Sequence, residues 1–203
     1  MIGRYVNLLV QYEYGCHFKK NHGYADEDRT NLNKPIENCY WVNPHLLASE
    51  YPGHQDSAKT RFRLNKYLDS GLSCFIDLTQ PKELEPYDLI LSQESQDRNL
   101  ATVYRRKPIV DYSVPSRNGM IGILNTIQSD IQAGHKVVVH CWGGVGRTGT
   151  VIGCYLVGQG LSGEESLREL SQHWNTVGCL KRRNHPITPQ SEDQFQMILD
   201  WNQ

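Results

Sequence analysis

Val137-Val138-Val139-His140-Cys141-Trp142-Gly143-Gly144-Val145-Gly146-Arg147-Thr148-Gly149-Thr150 is the stretch on which the reading of this chain turns. Its apolar run predicts a buried strand ending at His140, and a helix is expected to begin near Arg147. The residues between them include three glycines, Gly143, Gly144 and Gly146. These permit the dihedrals that aim successive backbone N–H groups at a single anion. Arg147, six residues after Cys141, closes the ring with a planar fork matching two oxygens of a phosphate dianion. The same N–H groups, the guanidinium and the positive end of the helix favour a thiolate at Cys141. Cys141 is therefore the candidate nucleophile, and Trp142, Gly143, Gly144, Val145, Gly146 and Arg147 are the candidate anion-binding residues. A buried cysteine beside a Gly-rich turn is also compatible with inert core. A nucleotide-binding loop is the competing phosphate cradle, but it wants Lys-Ser/Thr after its last glycine, and here Arg-Thr follows.

At 203 residues the chain suits one domain with an extension, and it is long enough to bury a single core. Lys plus Arg number 21 and Asp plus Glu 22, a formal charge of -1. No global field thus points to nucleic acid or an anionic membrane. Cys16, Cys39, Cys74, Cys141, Cys154 and Cys179 include no Cys-x-x-Cys pair of the kind that ligates metal. With no apolar N-terminal signal and no run long enough to span a bilayer, a soluble protein in a reducing cytoplasm is expected.

Working outward, residues 1–39 read as a loop-rich N-terminal extension with one candidate strand at 5–12, and residues 40–203 as the compact domain. Tyr40-Trp41-Val42 and Leu46-Leu47-Ala48 predict short strands around the turn signal Asn43-Pro44. Residues 61–68 have helical spacing and feed a buried strand at 74–78. The polar stretch to Gln96 reads as surface. Residues 103–110 predict an edge strand, and Ser116 is expected to cap a helix ended by Gly134. A nearly all-apolar helix at 148–157 reads as central. Ser162 and Glu165 form a capping box for a helix reaching about Trp174. Thr188-Pro189 predicts a cap and first-turn proline for a last helix carrying Phe195, Ile198, Leu199 and Trp201. Strands alternating with helices imply an α/β layer fold.

A thiolate attacking phosphorus expels an oxygen that needs a proton. Asp111 is the candidate donor. It lies in Ile109-Val110-Asp111-Tyr112-Ser113-Val114-Pro115-Ser116, at a strand-to-helix junction where a loop can close over substrate, although Asp is also common at such turns. His140 is expected to orient the loop by hydrogen bonds rather than act as a base. The Thr148 hydroxyl can donate to the sulfur, cap the helix, or do both. Cys74 and Cys154 are either core or partners for an oxidised Cys141.

The motif from His140 to Thr148 resembles the His-Cys-x-x-Gly-x-x-Arg-Ser/Thr signature of cysteine-dependent protein tyrosine and dual-specificity phosphatases, and the segment around Asp111 resembles the acid loop of their compact archaeal and bacterial members. The resemblance covers roughly residues 40–203. It implies a central, mostly parallel sheet flanked by helices, no metal and no other cofactor. It also implies a phosphorylated protein or peptide as substrate, with Asp111 as general acid. In that family one or two glutamines near the C-terminus place the hydrolytic water, which carries over to Gln190 first and to Gln194 second, the latter also reading as a wet helix face. In low-molecular-weight tyrosine phosphatases and arsenate reductases the thiol loop opens the chain, whereas here Asp111 precedes Cys141.

The loop interior carries no Lys or Arg besides Arg147, unlike phosphatases of inositol lipids or polyphosphates, which favours a phosphoprotein and phosphotyrosine especially; phosphoserine or phosphothreonine, and so dual specificity, stays open because it depends on pocket depth. Lys181-Arg182-Arg183 with His185 reads either as a solvated loop or as a holder for a second phosphate or an acidic flank. Two other readings stay open: a phosphatase of inositol phosphates or another small metabolite, and a phospho-dependent binding module without turnover.

Overall fold

The computed structural model describes residues 33–202. The candidate strand at 5–12 and most of the expected extension lie outside the described residues. Five strands, β1 (Cys39–Asn43), β2 (Leu46–Ser49), β3 (Leu72–Asp77), β4 (Val103–Arg106) and β5 (Lys136–His140), form one sheet in the order β1-β2-β5-β3-β4. β1 and β2 make an antiparallel hairpin, and every other pairing is parallel. Among the described residues seven helices accompany it: α1 (Ser57–Asp69), α2 (Asp88–Asp97), α3 (Arg117–Gln132), α4 (Gly146–Gly158), α5 (Gly163–Trp174), α6 (Cys179–Asn184) and α7 (Glu192–Leu199).

Side chains alternate across the sheet. Val137 and Val139 enter the core shared with α3, α4, α5 and α7, while Val138 enters the opposite core with Leu64, Tyr67 and Leu68 of α1 and Leu91 of α2. Both faces of β5 are covered, so it reads as an unbroken apolar run. Each valine so buried contributes roughly 1.5–3 kcal/mol. Because β2, β3, β4 and β5 run parallel, Ser49, Asp77, Arg106 and His140 end on one edge of the sheet. The segments leaving that edge build the site, as open parallel sheets generally arrange.

The predicted caps of two helices hold: Ser116 accepts from Gly119 N at the start of α3, and Ser162 with Glu165 forms the capping box of α5. Other expectations are corrected. Helix α1 starts at Ser57 because Asp56 accepts from Ala58 N at 2.9 Å and caps it. The stretch read as polar surface contains α2, whose Leu91 and Ser95 are buried together with the preceding Tyr87. Strand β4 ends at Arg106, ahead of Pro108, though Lys107 and Ile109 still donate to the Asp77 and Leu78 carbonyls. The final helix starts at Glu192 rather than after Thr188-Pro189, since Ser191 and Gln194 supply its capping box, and Trp201 packs just beyond its end. Lys181-Arg182-Arg183 is the last part of α6, not a loop. Residues 33–38, assigned to the extension, pack on the domain: Asn38 O accepts from Glu50 N, and Lys34 Nζ donates to Thr176 O at 2.6 Å.

Candidate active site

Cys141 follows β5 directly and is buried. The loop after it is braced by the segment leaving β2: Tyr51 N donates to Trp142 O at 2.9 Å. Gly144 has φ 71°, and a Cβ there would stand 2.7 Å from Glu50 N and Ser49 O. Conformation and space therefore both require glycine. Helix α4 begins at Gly146 with Val145 as its cap residue and no side-chain cap. Its first N–H groups have no carbonyl partner within the helix, the arrangement by which a helix start favours an anion. A Cβ on Gly146 would meet Gln190 Oε1 at 2.7 Å, so this glycine lets the C-terminal segment close on the thiol loop.

Arg147 is 1% exposed. Its Nη1 and Nη2 donate to Glu83 Oε2 and Oε1 at 2.8 and 2.7 Å. Nη1 also reaches Ile109 O at 3.2 Å, and Nη2 lies 3.0 Å from Asp111 Oδ1. Nε is buried without a hydrogen-bond partner among the described residues, as is the Thr148 hydroxyl on the next residue. The Nη1/Nη2 edge of the guanidinium is thus held by Glu83, while the Nε/Nη2 edge meets only Asp111. Burial acts to lower the Arg147 pKa, but the Glu83 hydrogen bonds and the Cys141, Glu83 and Asp111 charges outweigh it. Burial likewise acts to raise Glu83, but Arg147 holds it below the usual carboxylate range. Both members of the pair are charged.

Asp111 is half exposed, with a side chain 43% accessible. Its loop is docked on the C-terminal segment: Ser191 Oγ donates to Tyr112 O and Gln194 Nε2 to Ser113 O, each at 3.1 Å. Gln194 is fully buried, and its Oε1 accepts from Gln190 N and Ser191 N at 3.0 and 3.2 Å. It therefore occupies no wet face and does not line the cleft; its amide ties the Asp111 loop to the start of α7. Gln190 does line the cleft, with Nε2 3.3 Å from His185 Nδ1. Thr148 lies inside α4 and does not cap it.

Behind the thiol loop, His140 Nε2 is 2.6 Å from the Tyr87 hydroxyl. Nδ1 faces two acceptors, the Cys141 carbonyl and the Asp77 carboxylate, so the ring proton sits on Nδ1 and the Tyr87 hydroxyl, kept protonated by burial, donates to Nε2. That proton lies between Cys141 O at 3.4 Å and Asp77 Oδ1 at 3.9 Å. Burial lowers the His140 pKa against the pull of Asp77, keeping the ring neutral. Asp77, itself fully buried, accepts from Thr79 N, Thr79 Oγ1 and Tyr104 OH at 2.8, 2.6 and 2.6 Å.

These residues open into one cleft of about 990 Å³ that contains Cys141, Trp142, Arg147, Asp111, Gln190, Glu83, Tyr112 and Lys181. Sequence reading missed Glu83, Tyr87 and Asp77. The rule that pointed to Asp111, a polar residue at or beyond a parallel strand's C-terminal end, applies equally to Asp77, which ends β3, and to Glu83 in the segment that follows. Cys74 donates to Asp130 at 3.2 Å, and burial pushes both Cys74 and Cys154 up to about 12. Neither thiol is poised for exchange with Cys141. Among the described residues, no group of His, Cys, Asp and Glu could hold a metal ion, and no helix is long and apolar enough to cross a membrane.

A protein-family profile described as "Polymorphic toxin system, DSP-PTPase phosphatase" matches residues 49–161, which include Glu83, Asp111, Cys141 and Arg147 but not Gln190. Protein tyrosine phosphatase domain-containing protein 1 of Mus musculus is 32% identical over 124 residues, 58% of this chain and 16% of that protein. The chain thus spans only a small part of that relative. The Arabidopsis thaliana protein named phosphatidylinositol 3,4,5-trisphosphate 3-phosphatase and protein-tyrosine-phosphatase PTEN1 is 29% identical over 129 residues, 63% of this chain and 30% of its own length. Among solved structures, Tk-PTP in its active form is similar at 25% identity and a TM-score of 0.57, covering 79% of this chain and 93% of that one. P. aeruginosa TpbA, solved with pTyr, shares the fold at 18% identity and a TM-score of 0.55, over 82% and 91% of the two chains.

Proposed function

We propose, for a chain that belongs to the DSP-PTPase family of cysteine-dependent phosphatases, that it hydrolyses phosphotyrosine in proteins or peptides through a cysteinyl-phosphate at Cys141. The observation that carries this reading is the pair of buried donors in the first turn of α4, Arg147 Nε and the Thr148 hydroxyl, that have no partner among the described residues. Native proteins rarely leave such groups unsatisfied unless they serve a ligand or a reaction. A phosphate suits the Nε/Nη2 edge that Glu83 leaves free, with the loop N–H groups taking its other oxygens.

In the first step the Cys141 thiolate attacks phosphorus, the bond to the ester oxygen breaks, and Asp111 gives that oxygen its proton. Asp111 must leave Arg147 Nη2 for this, and its half-exposed position permits the move. In the second step water oriented by Gln190 attacks phosphorus and passes its proton to Asp111. The P–S bond breaks, and the departing thiolate accepts a hydrogen bond from Thr148. The neutral His140, fixed by Tyr87, holds the Cys141 carbonyl and so orients the loop.

For the substrate, Trp142 and Tyr112 are 59% and 62% exposed and line the cleft, offering faces to an aryl ring. TpbA, which shares the fold, was solved with pTyr. The test is hydrolysis of an aryl phosphate in the presence of chelator near pH ~6, comparing the parent with Cys141→Ser and Asp111→Asn. The parent should turn over, Cys141→Ser should be inactive, and Asp111→Asn should lose about 100-fold. Full activity in Cys141→Ser would refute the mechanism. Inositol phosphates as substrates are the second reading, supported by the name of the Arabidopsis relative and by Lys181 beside the loop. A panel in which phosphopeptides are turned over far faster removes it.

A further inference from the structure

Of the basic run Lys181-Arg182-Arg183, only Lys181 lines the cleft; Arg182 donates to Val177 O instead, and Arg183 is exposed. Lys181 comes close to the thiol loop itself, since a Cβ on Gly143 would stand 3.7 Å from its Nζ. Its Nζ donates to Glu50 Oε2 at 3.1 Å. From the other side Arg63 Nη2 donates to Glu50 Oε1, and Asn38 Nδ2 adds a bond to Oε2 at 3.0 Å. The three charged side chains are 16–27% exposed, so this is a partly desolvated cluster rather than a free surface charge. Two cations share one carboxylate, which leaves one positive charge in excess on the cleft wall. At the phosphate cradle the balance is the opposite, because Arg147 faces both Glu83 and Asp111. His185 links the two places: its pKa is lowered by burial and by the Lys181 charge, and its Nδ1 meets the Gln190 amide.

We propose that Lys181 and Arg63, on either side of Glu50, form a second anion subsite in the catalytic cleft, and that the preferred peptide substrate carries an acidic group, a carboxylate or a second phosphate, close to its phosphotyrosine. The proposal rests on the phosphatase reading and names the substrate class within it. The loop lacks a cation of its own beyond Arg147, and α6 supplies one from outside. Glu50 holds the two cations in place and competes with the incoming anion, so its charge sets how strongly the subsite discriminates.

The test measures affinity of the Cys141→Ser protein for three phosphotyrosyl peptides: one with neutral flanks, one with glutamates beside the phosphotyrosine, and one with a neighbouring phosphoserine. The acidic peptides should bind about tenfold tighter than the neutral one. Adding Lys181→Met should bring that ratio close to unity, whereas adding Glu50→Gln should raise it. Each ratio is taken within one protein, so general loss of folded material cancels, and opposite shifts from two neighbouring substitutions are not a misfolding signature. Preference for the phosphoserine peptide alone assigns the subsite to phosphate; preference for both assigns it to anions in general. Equal affinity for all three, or a preference that survives Lys181→Met, overturns the proposal. Turnover of an aryl phosphate with no second charged group by the parent reports on the phosphatase reading separately, and failure to bind any phosphopeptide would overturn both.

Discussion

The sheet carries two clusters assembled from the same three kinds of side chain, a cysteine, an arginine and a carboxylate, and only one of them is built to react. At the first, Arg105 gives Nε and Nη2 to Asp130 at 2.8 and 2.7 Å, and Cys74 donates its thiol to the same carboxylate at 3.2 Å. At the second, Glu83 takes the Nη1 and Nη2 groups of Arg147, Nε stays unpartnered among the described residues, and Cys141 lines the same cleft. A carboxylate on the Nε edge and beside the sulfur makes an inert, closed pair; Cys74 is pushed up to about 12 by burial and by Asp130. A carboxylate on the opposite edge braces the arginine and leaves its other edge to the half-exposed Asp111, which meets Nη2 and not Nε and can give way to an incoming anion. Residue inventory does not make the site; the edge of the guanidinium that is left open does.

Substituting the two arginines should separate the clusters most widely. Arg147→Lys keeps the charge but loses the planar fork, and kcat/KM should fall about 10³-fold. Arg105→Lys should leave kcat/KM within about threefold of the parent and register only in thermal unfolding, since exposed or half-exposed pairs contribute little. Comparable activity losses from both would erase the distinction.

The carboxylates should differ next. Glu83→Gln removes the brace from a buried guanidinium, and kcat/KM should fall about 10–100-fold, because misplacing a binding group by even ~1 Å is costly. Asp130→Asn should cost about 1–3 kcal/mol of stability with activity retained. Paired steady-state kinetics and denaturant titrations read both.

Acidification should destabilise the whole protein in two steps. His140 is held below its ordinary value of 6.5 by burial, so the unfolded chain takes up a proton there that the native one refuses. Stability is complete above that value and falls as pH drops through it. In Asp130 the Arg105 hydrogen bonds, and in Glu83 the Arg147 bonds acting against burial, hold the carboxylates below their usual range. That stability persists above the usual carboxylate range and is lost as pH falls through the depressed values. Unfolding temperature should therefore decline below about pH 6.5 and again below about pH 4, and His140→Gln should shrink the first decline and leave the second unchanged, the remainder of the first coming from His185, whose pKa is also lowered. A stability that rises on acidification through the upper range would contradict the buried neutral imidazole.

What could be read from sequence followed the same division. The thiol loop was legible because its chemistry is local: strand, glycines, Arg147 and the helix start are contiguous. Asp111 and Gln190, which line the cleft with it, were found through segment order. Glu83 was missed because it sits in a stretch without hydrophobic periodicity, where α2 has neither a side-chain cap nor a clear apolar stripe. Gln194 was misjudged because Thr188-Pro189 imitated a helix start; moving the start to Ser191–Glu192 turns Gln194 inward. Pairings between segments distant in sequence, such as Glu50 with Lys181 or Tyr87 with His140, leave no trace in spacing.

The most direct measurement is rapid acid quench of a Gln190→Ala protein mixed with excess aryl phosphate, followed by mass spectrometry of the cysteine-containing peptides. A phosphoryl group on Cys141, accumulating faster than turnover and absent from Cys74, is the expected result. Turnover of substrate with no adduct at Cys141, or an adduct on another residue, would contradict a cysteinyl-phosphate at this site.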